Sequence, residues 1–457
     1  MASEQSRDRA IEIADARDVR RNVLVLAWPV MAEIALQTLV QIVDMAMVGR
    51  LGPVAVAAVG MSMQPLFVLF SLVNGLSVGA TALVARFSGA EKRDMADLAT
   101  GQAAWVSALM GGAIWALTTF LAGDIVGLMG PEPEVRELGA RYLIYVAPGI
   151  AAMIVSFVLS AALRGAGDTV TPMRINVAIN AVNVFGNYVL IFGKFGLPAL
   201  GLVGAAISTS LARTLGAAVL LHVLLAGRST LRMSPSSLLS IRTDLLLRMF
   251  RVGAPAAMER LAMSVGQFFY VRAVSGLGTV VFAAHTLAIN AEALSYMPGL
   301  GFATAATTLV GQGLGAGRPD LARRSALESC KLGSYVMGFM AVVFLVAPEL
   351  LMRIYTTDEA VIHYGGAALR VAASAQIPMA LSFILAGALR GAGDTSFVFW
   401  ATVAGMFAVR LPLAYVMVSL LKLGLVGAWI AMAADWFARV LLISLRFRAG
   451  RWQHIKV

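Results

Sequence analysis

Four polar side chains recur along an otherwise apolar stretch near the start of the chain: Glu33, Gln37, Gln41 and Asp44, at i, i+4, i+8 and i+11. At about 100° of helix per residue they fall within roughly 80° of one another. A later stretch carries Asn176, Asn180, Asn183 and Asn187 at i, i+4, i+7 and i+11, within about 60° on the same wheel. The chemistry these types offer is ion handling. A carboxylate set in an apolar cavity can load and release a proton near neutral pH, amide oxygens can ligate Na⁺, and amide donors can hold the carboxylate. Asp44, Asn183, Asn187 and Asn180 are therefore the candidate residues for a coupling ion. Asn and Gln inside a membrane also join helices simply by hydrogen bonding, and for the asparagine face that structural reading stands beside the functional one.

Stretches of this kind must be positioned by membrane helices. Of 457 residues, 59% are hydrophobic and 13% charged, where a soluble domain carries about 25% charged residues. A hydrocarbon core roughly 30 Å thick needs about 20 apolar residues per crossing, and about twelve such segments follow one another along the chain. Long apolar runs without alternation exclude a β-barrel, so the expected fold is an all-α polytopic membrane protein. Gly75 and Gly79 in the second span, and Pro298, Gly299 and Gly301 in the eighth, are places where a long helix can bend or open.

The chain is written twice. Ala162 to Thr169, Ala-Leu-Arg-Gly-Ala-Gly-Asp-Thr, recurs unchanged as Ala388 to Thr395, an offset of 390 − 164 = 226. The same offset places Pro29 on Pro255, Glu33 on Glu259, Gln41 on Gln267, Thr81 on Thr307 and Asp94 on Asp320. Two homologous six-helix bundles running in the same sense imply a pseudo-two-fold axis along the membrane normal, with a cavity between them. The expected organisation is an N-terminal arm at 1–22, an N-lobe at 23–226, a linker at 227–245 that includes Pro235, Ser236 and Ser237, a C-lobe at 246–446, and a tail at 447–457.

Repetition sharpens the reading of individual residues. Glu259, Gln267 and Tyr270 repeat Glu33, Gln41 and Asp44, except that Tyr270 stands where the first half has an aspartate. Asp44 breaks the symmetry, which marks it for function. Symmetric Glu33 and Glu259 fit a shared scaffold as well as a transport role; with Gln37, Gln41, Gln267 and Tyr270 they form a second rank of substrate or coupling candidates. Arg410, mid-span, is costly unless it finds a carboxylate or carbonyl, and buried pairing is equally the expectation for Arg213, Glu292, Asp435 and Arg439.

The formal charge of +11 comes from Lys and Arg spread over alternate short loops, among them Lys92, Arg93, Arg174, Arg323 and Lys456. That pattern argues for orientation and against nucleic acid: the positive-inside rule places both termini in the cytoplasm, with the protein in the plasma (inner) membrane. The polar N-terminal arm shows no cleavage site and is expected to stay as a cytoplasmic tail. One cysteine, Cys330, and four scattered histidines imply neither an intramolecular disulfide nor a metal centre. The two Arg-Gly-Ala-Gly-Asp-Thr runs lack the Gly-Lys-[Ser/Thr] ending of a phosphate loop, so no ATP is expected and they read as helix-ending turns. No Ser/His arrangement suggests an enzyme.

Several of these features together resemble one family. They are Gln41 to Gly52 (Gln-Ile-Val-Asp-Met-Ala-Met-Val-Gly-Arg-Leu-Gly), the paired Leu-Arg-Gly-Ala-Gly-Asp-Thr, and Leu190 to Ala205 (Leu-Ile-Phe-Gly-Lys-Phe-Gly-Leu-Pro-Ala-Leu-Gly-Leu-Val-Gly-Ala). With twelve spans in two halves they look like the multidrug and toxic compound extrusion (MATE) family. The resemblance implies export of amphipathic, often cationic compounds against H⁺ or Na⁺, with no other cofactor. It places the coupling ion at Asp44 and a polar pair at Asn183 and Asn187. An acidic residue of the Na⁺-coupled branch falls near Met379, and Glu259 sits earlier on its helix than that branch's acid; the balance therefore leans to H⁺, since Na⁺ wants several oxygen ligands. A monomer is expected. The alternative is a related exporter that flips lipid-linked saccharides, which calls for a more basic cavity.

Overall fold

The computed structural model describes residues 16–234 and 241–455; Pro235, Ser236, Ser237, Lys456 and the arm before residue 16 lie outside them. Among the described residues every regular element is a helix. In the first half they are α1 (Ala16–Gly49), α2 (Pro53–Met63), α3 (Leu66–Gly89), α4 (Arg93–Phe120), α5 (Ala122–Gly127), α6 (Pro133–Gly165), α7 (Val170–Phe192) and α8 (Gly201–Leu225). The second half contains α9 (Thr243–Ser275), α10 (Thr279–Gly315), α11 (Pro319–Val346), α12 (Pro348–Arg353) and α13 (Glu359–Ala392), then α14 (Thr395–Leu420) and α15 (Gly424–Arg448).

Ten of these helices are long and apolar enough to cross a membrane. The two that complete the expected twelve, α9 and α10, are 33 and 37 residues long but more polar: α9 carries Arg248, Arg251, Glu259, Arg260 and Arg272, and α10 carries His285, Asn290 and Glu292.

The duplication holds element by element. Shifted by the offset of 390 − 164 = 226, α4 falls on α11 and α5 on α12 at both ends, and α2 with α3 spans the same interval as α10. Tertiary contacts repeat as well. Thr81 Oγ1 donates to the Ala161 carbonyl at 2.9 Å, and Thr307 Oγ1 donates to the Gly387 carbonyl at 2.9 Å. Gly165 lies against the Thr81 backbone and Gly391 against that of Thr307, where a Cβ has no room.

The chain forms two compact units. One comprises Ala32–Ala254; the other comprises Pro255–Val457 together with the first helix as far as Met31. In the first, α6 packs along α8, α4 and α3, and α7 along α8. The linker end is anchored there, with the Arg232 amide donating to Asp97 at 2.8 Å and the Arg242 amide to Gln102 at 3.0 Å. In the second, α10 packs along α13 and α11, and α13 along α15. The tail is ordered into this unit through residue 455: Trp452 is fully buried, stacked on Phe447 with ring centroids 4.9 Å apart.

Helix irregularities fall elsewhere than at the glycines marked in the sequence. The second span breaks at Gln64–Pro65, between α2 and α3, because Pro65 lacks the amide that its counterpart Ala291 supplies within unbroken α10. Gly75 and Gly79 sit inside continuous α3; the missing side chain of Gly79 admits the Met249 backbone, and that of Gly253 admits the Gly75 backbone. Pro298, Gly299 and Gly301 are likewise inside α10. The other departure is α14, whose turns widen at Ala404–Arg410 and Val416–Leu420. Pro412 lies between them and removes one ladder donor.

Candidate functional site

Asp44 sits near the C-terminal end of α1, half-buried, and faces α7. The Asn187 side-chain amide donates to its carboxylate at 2.7 Å. With its amide oriented to satisfy both neighbours, Asn183 donates to Asp44 at 3.2 and 3.3 Å while its carbonyl accepts from the Thr209 hydroxyl at 3.1 Å. Asn183 and Asn187 are 6% and 1% exposed, so these contacts are made away from bulk solvent. The backbone fits them closely. Gly186 lets Ser208 of α8 approach α7, and the Ser208 hydroxyl donates to the main-chain carbonyl of Asn183 at 3.1 Å. One acceptor is left over, since Asn187 Oδ1 is buried without a hydrogen-bond partner.

Two further side chains surround this carboxylate electrostatically. Tyr142 of α6 and Arg213 of α8 each lie within its field and each other's. Arg213 forms no ion pair among the described residues, contrary to the expected buried pairing. Neither Tyr142 nor Thr209 carries a sequence signal that singles it out; only packing of α6 and α8 onto α7 brings them in.

The remaining first-helix candidates divide. Among the described residues Gln37 and Gln41, both exposed, make no side-chain hydrogen bond, and half-buried Asn180 has no partner. Glu33 is only 7% exposed. It accepts from Asn176 at 2.7 Å and faces Arg164 at 3.5 Å. Glu259 repeats this arrangement in the other unit, accepting from Arg390 at 2.8 and 3.0 Å and from Thr402 at 3.0 Å. The arginines are those of the two Arg-Gly-Ala-Gly-Asp-Thr turns, which end their helices through Gly167 at φ +91° and Gly393 at φ +89°. Each turn thereby ties the end of α6 or α13 to the first helix of its half.

Tyr270, in the place of Asp44, is fully buried and donates its hydroxyl to the Ala428 carbonyl at 2.9 Å. Gln267 is half-buried. Arg410 reaches Asp435 at 2.7 Å and lies 5.6 Å from the Tyr270 ring centroid. Arg439 holds the same aspartate through Nη2 at 2.8 Å. Gly405 makes room for this cluster, since a Cβ there would strike Asp435 and Arg439. Among the described residues no three His, Cys, Asp or Glu side chains come together as metal ligands.

Comparison with known proteins adds the following. The family model MatE matches residues 29–189 and again 255–416, once in each half. The probable multidrug resistance protein NorM of Thermotoga maritima is 33% identical over 440 residues, covering 95% of this chain and 94% of that protein. An uncharacterized transporter of Bacillus subtilis, YisQ, is 27% identical over 93% of this chain and 94% of its own. Among solved structures, an outward-facing multidrug resistance MATE family transporter of the MOP superfamily superposes with a TM-score of 0.86 at 24% identity, covering 95% of this chain and 97% of that one. The Vibrio cholerae MATE transporter VcmN gives a TM-score of 0.88 at 20% identity over 96% and 99%. At these identities the structural likenesses establish the fold.

Proposed function

This chain belongs to the MatE family of multi-pass membrane transporters, and from that premise we propose that it is a cation-coupled multidrug efflux antiporter. It exports amphipathic organic cations by alternating access, in exchange for H⁺. The observation that carries this reading is the Asp44 site. A single carboxylate is held by two buried asparagines at 2.7 and 3.2 Å, and its counterpart in the other half is a tyrosine with no charge to exchange.

In the proposed cycle Asp44 serves two ligands in turn. Ionised, it offers a negative charge to an organic cation. Protonated, it loses that charge and the substrate leaves; Asn187 Oδ1, a buried acceptor without a partner, is placed to receive a hydrogen bond once its amide rotates. Because each ligand favours a different state of the same carboxylate, binding of one opposes the other, and that competition supplies the coupling. In this reading both termini lie in the cytoplasm, and the protein works in the inner membrane as a monomer without ATP.

Transport of a fluorescent organic cation into or out of proteoliposomes tests this, with a pH gradient and a Na⁺ gradient imposed separately. The expected result is transport driven by the pH gradient and lost in Asp44→Asn. Transport driven only by Na⁺ would replace the proton with Na⁺ at the same site. If Asp44→Asn kept full gradient-driven transport, the scheme would be wrong.

A further inference from the structure

On the outer face of α15, away from the Asp44 site, Phe437, Leu441 and Leu445 are exposed one helical turn apart, with Val440 and Ser444 half-buried beside them. Together with Arg448 they line a groove of about 420 Å³. From Phe437 to Arg448 the stripe rises about 16 Å, close to the depth of one leaflet in a hydrocarbon core roughly 30 Å thick. Gly424–Arg448 is one of the ten helices able to cross a membrane, so an exposed apolar face along it meets lipid. Arg448 is the last residue of that span, where hydrocarbon gives way to headgroups.

The groove ends in positive charge. Arg448 and Arg451 are both exposed, and among the described residues neither forms an ion pair or a side-chain hydrogen bond. The other arginine of this stretch, Arg446, is used differently: Asp394 holds it at 2.7 Å. Arg451 is fixed by its neighbours. The chain turns at Gly450, with φ +70°, and Trp452 is fully buried with its Nε1 donating to the Phe447 carbonyl at 2.9 Å. The duplication supplies an internal comparison. Shifted by the offset of 390 − 164 = 226, the stripe falls on Leu211, Leu215 and Val219 of α8, which are also exposed, but Arg448 and Arg451 fall on His222 and Leu225. The apolar stripe is shared by the two halves, and the pair of arginines is not.

We propose that this groove binds an anionic phospholipid, with one acyl chain along Phe437, Leu441 and Leu445 and the headgroup phosphate at Arg448 and Arg451. An apolar stripe alone suits any lipid chain; two unpaired cations at its headgroup end select a lipid of net negative charge. Guanidinium groups suit this task, since their planar forks give phosphate oxygens parallel donors. The buried Trp452 restrains the segment that carries Arg451, so less freedom is lost when the phosphate arrives. The same charges disfavour a second copy of the chain as the occupant. A two-fold axis along the membrane normal at this stripe would bring Arg448 and Arg451 against their own duplicates.

The test is native mass spectrometry of the full-length protein in detergent, titrated with phosphatidylglycerol or with phosphatidylcholine of the same acyl chains. No substrate is needed, so the outcome is independent of the transport reading. Wild type is expected to take its first phosphatidylglycerol at a concentration roughly tenfold or more below that for phosphatidylcholine, as two basic residues near a lipid headgroup imply. The double variant Arg448→Gln/Arg451→Gln is expected to lose that preference, and Arg448→Lys/Arg451→Lys to keep part of it. Ser444→Trp, which fills the groove, is expected to weaken both lipids alike. Arg323→Gln/Arg324→Gln, at two exposed cations of α11, is expected to leave the preference unchanged. A wild type that does not distinguish the two lipids, a glutamine pair on α15 that still does, or an equal loss from the α11 pair overturns the proposal. Dimers that form without lipid and vanish in Ser444→Trp would also overturn it, by making the groove an interface between copies.

Discussion

Asp44 and Tyr270 occupy one register position of a duplicated sequence, yet they meet different surroundings. Asp44 is half-buried among amides, and Tyr270 is sealed against a backbone carbonyl and an arginine. Asp44→Asn is therefore expected to abolish gradient-driven transport without loss of thermal stability, and Tyr270→Phe to cost stability first, on the order of 1 kcal/mol for one hydrogen bond. Replacing Asn187 with Leu removes a charge-assisted donor at 2.7 Å, and a shift of roughly ten- to a hundredfold in the ion concentration that half-saturates transport is expected, in line with the ~1.5–3 kcal/mol of such bonds. An unchanged half-saturation point would remove Asn187 from the site. Glu259→Gln belongs to the other class. It leaves Arg390 partly buried and short of its carboxylate, so thermal unfolding of the purified protein should show a loss of about 1–3 kcal/mol while the folded fraction still transports.

At the scale of elements, α3 with α6 and α10 with α13 make the same joint twice. A threonine hydroxyl crosses to a carbonyl at 2.9 Å, and a glycine admits the neighbouring backbone. Thr81→Val and Thr307→Val are expected to cost about 1 kcal/mol each, and to do so equally. Gly165→Val and Gly391→Val should both prevent folding, because the obstacle is main chain and cannot rotate away. A large difference between the paired variants in thermal melts would show that the halves no longer share one packing scheme. The short α5 and α12, six residues each, repeat without any polar pattern that announces them. Their positions became visible only as the same interval in both halves.

For the whole molecule, the expectation that both termini lie in the cytoplasm rests on cationic residues concentrated in alternate loops. A green fluorescent protein fused after residue 457 should fluoresce, and a periplasmic phosphatase at the same place should be inactive; the reverse pair of results would invert the topology. The sequence by itself determined the membrane class, the offset of 226 and the unequal carboxylate, because composition, repetition and a broken symmetry are all properties of residue order. It also set Gln37 and Gln41 on one helical face with Asp44, since a helical wheel reports angle; both are exposed and make no side-chain hydrogen bond among the described residues, because a wheel carries no information on what lies opposite. Only the tertiary structure decided that Arg164 answers Glu33 across 131 positions, that Asn187 answers Asp44 across 143, and that Glu292 Oε1 is buried without a hydrogen-bond partner among the described residues. Such pairings are set by which helices pack side by side and at what depth, and no local pattern in the chain encodes that.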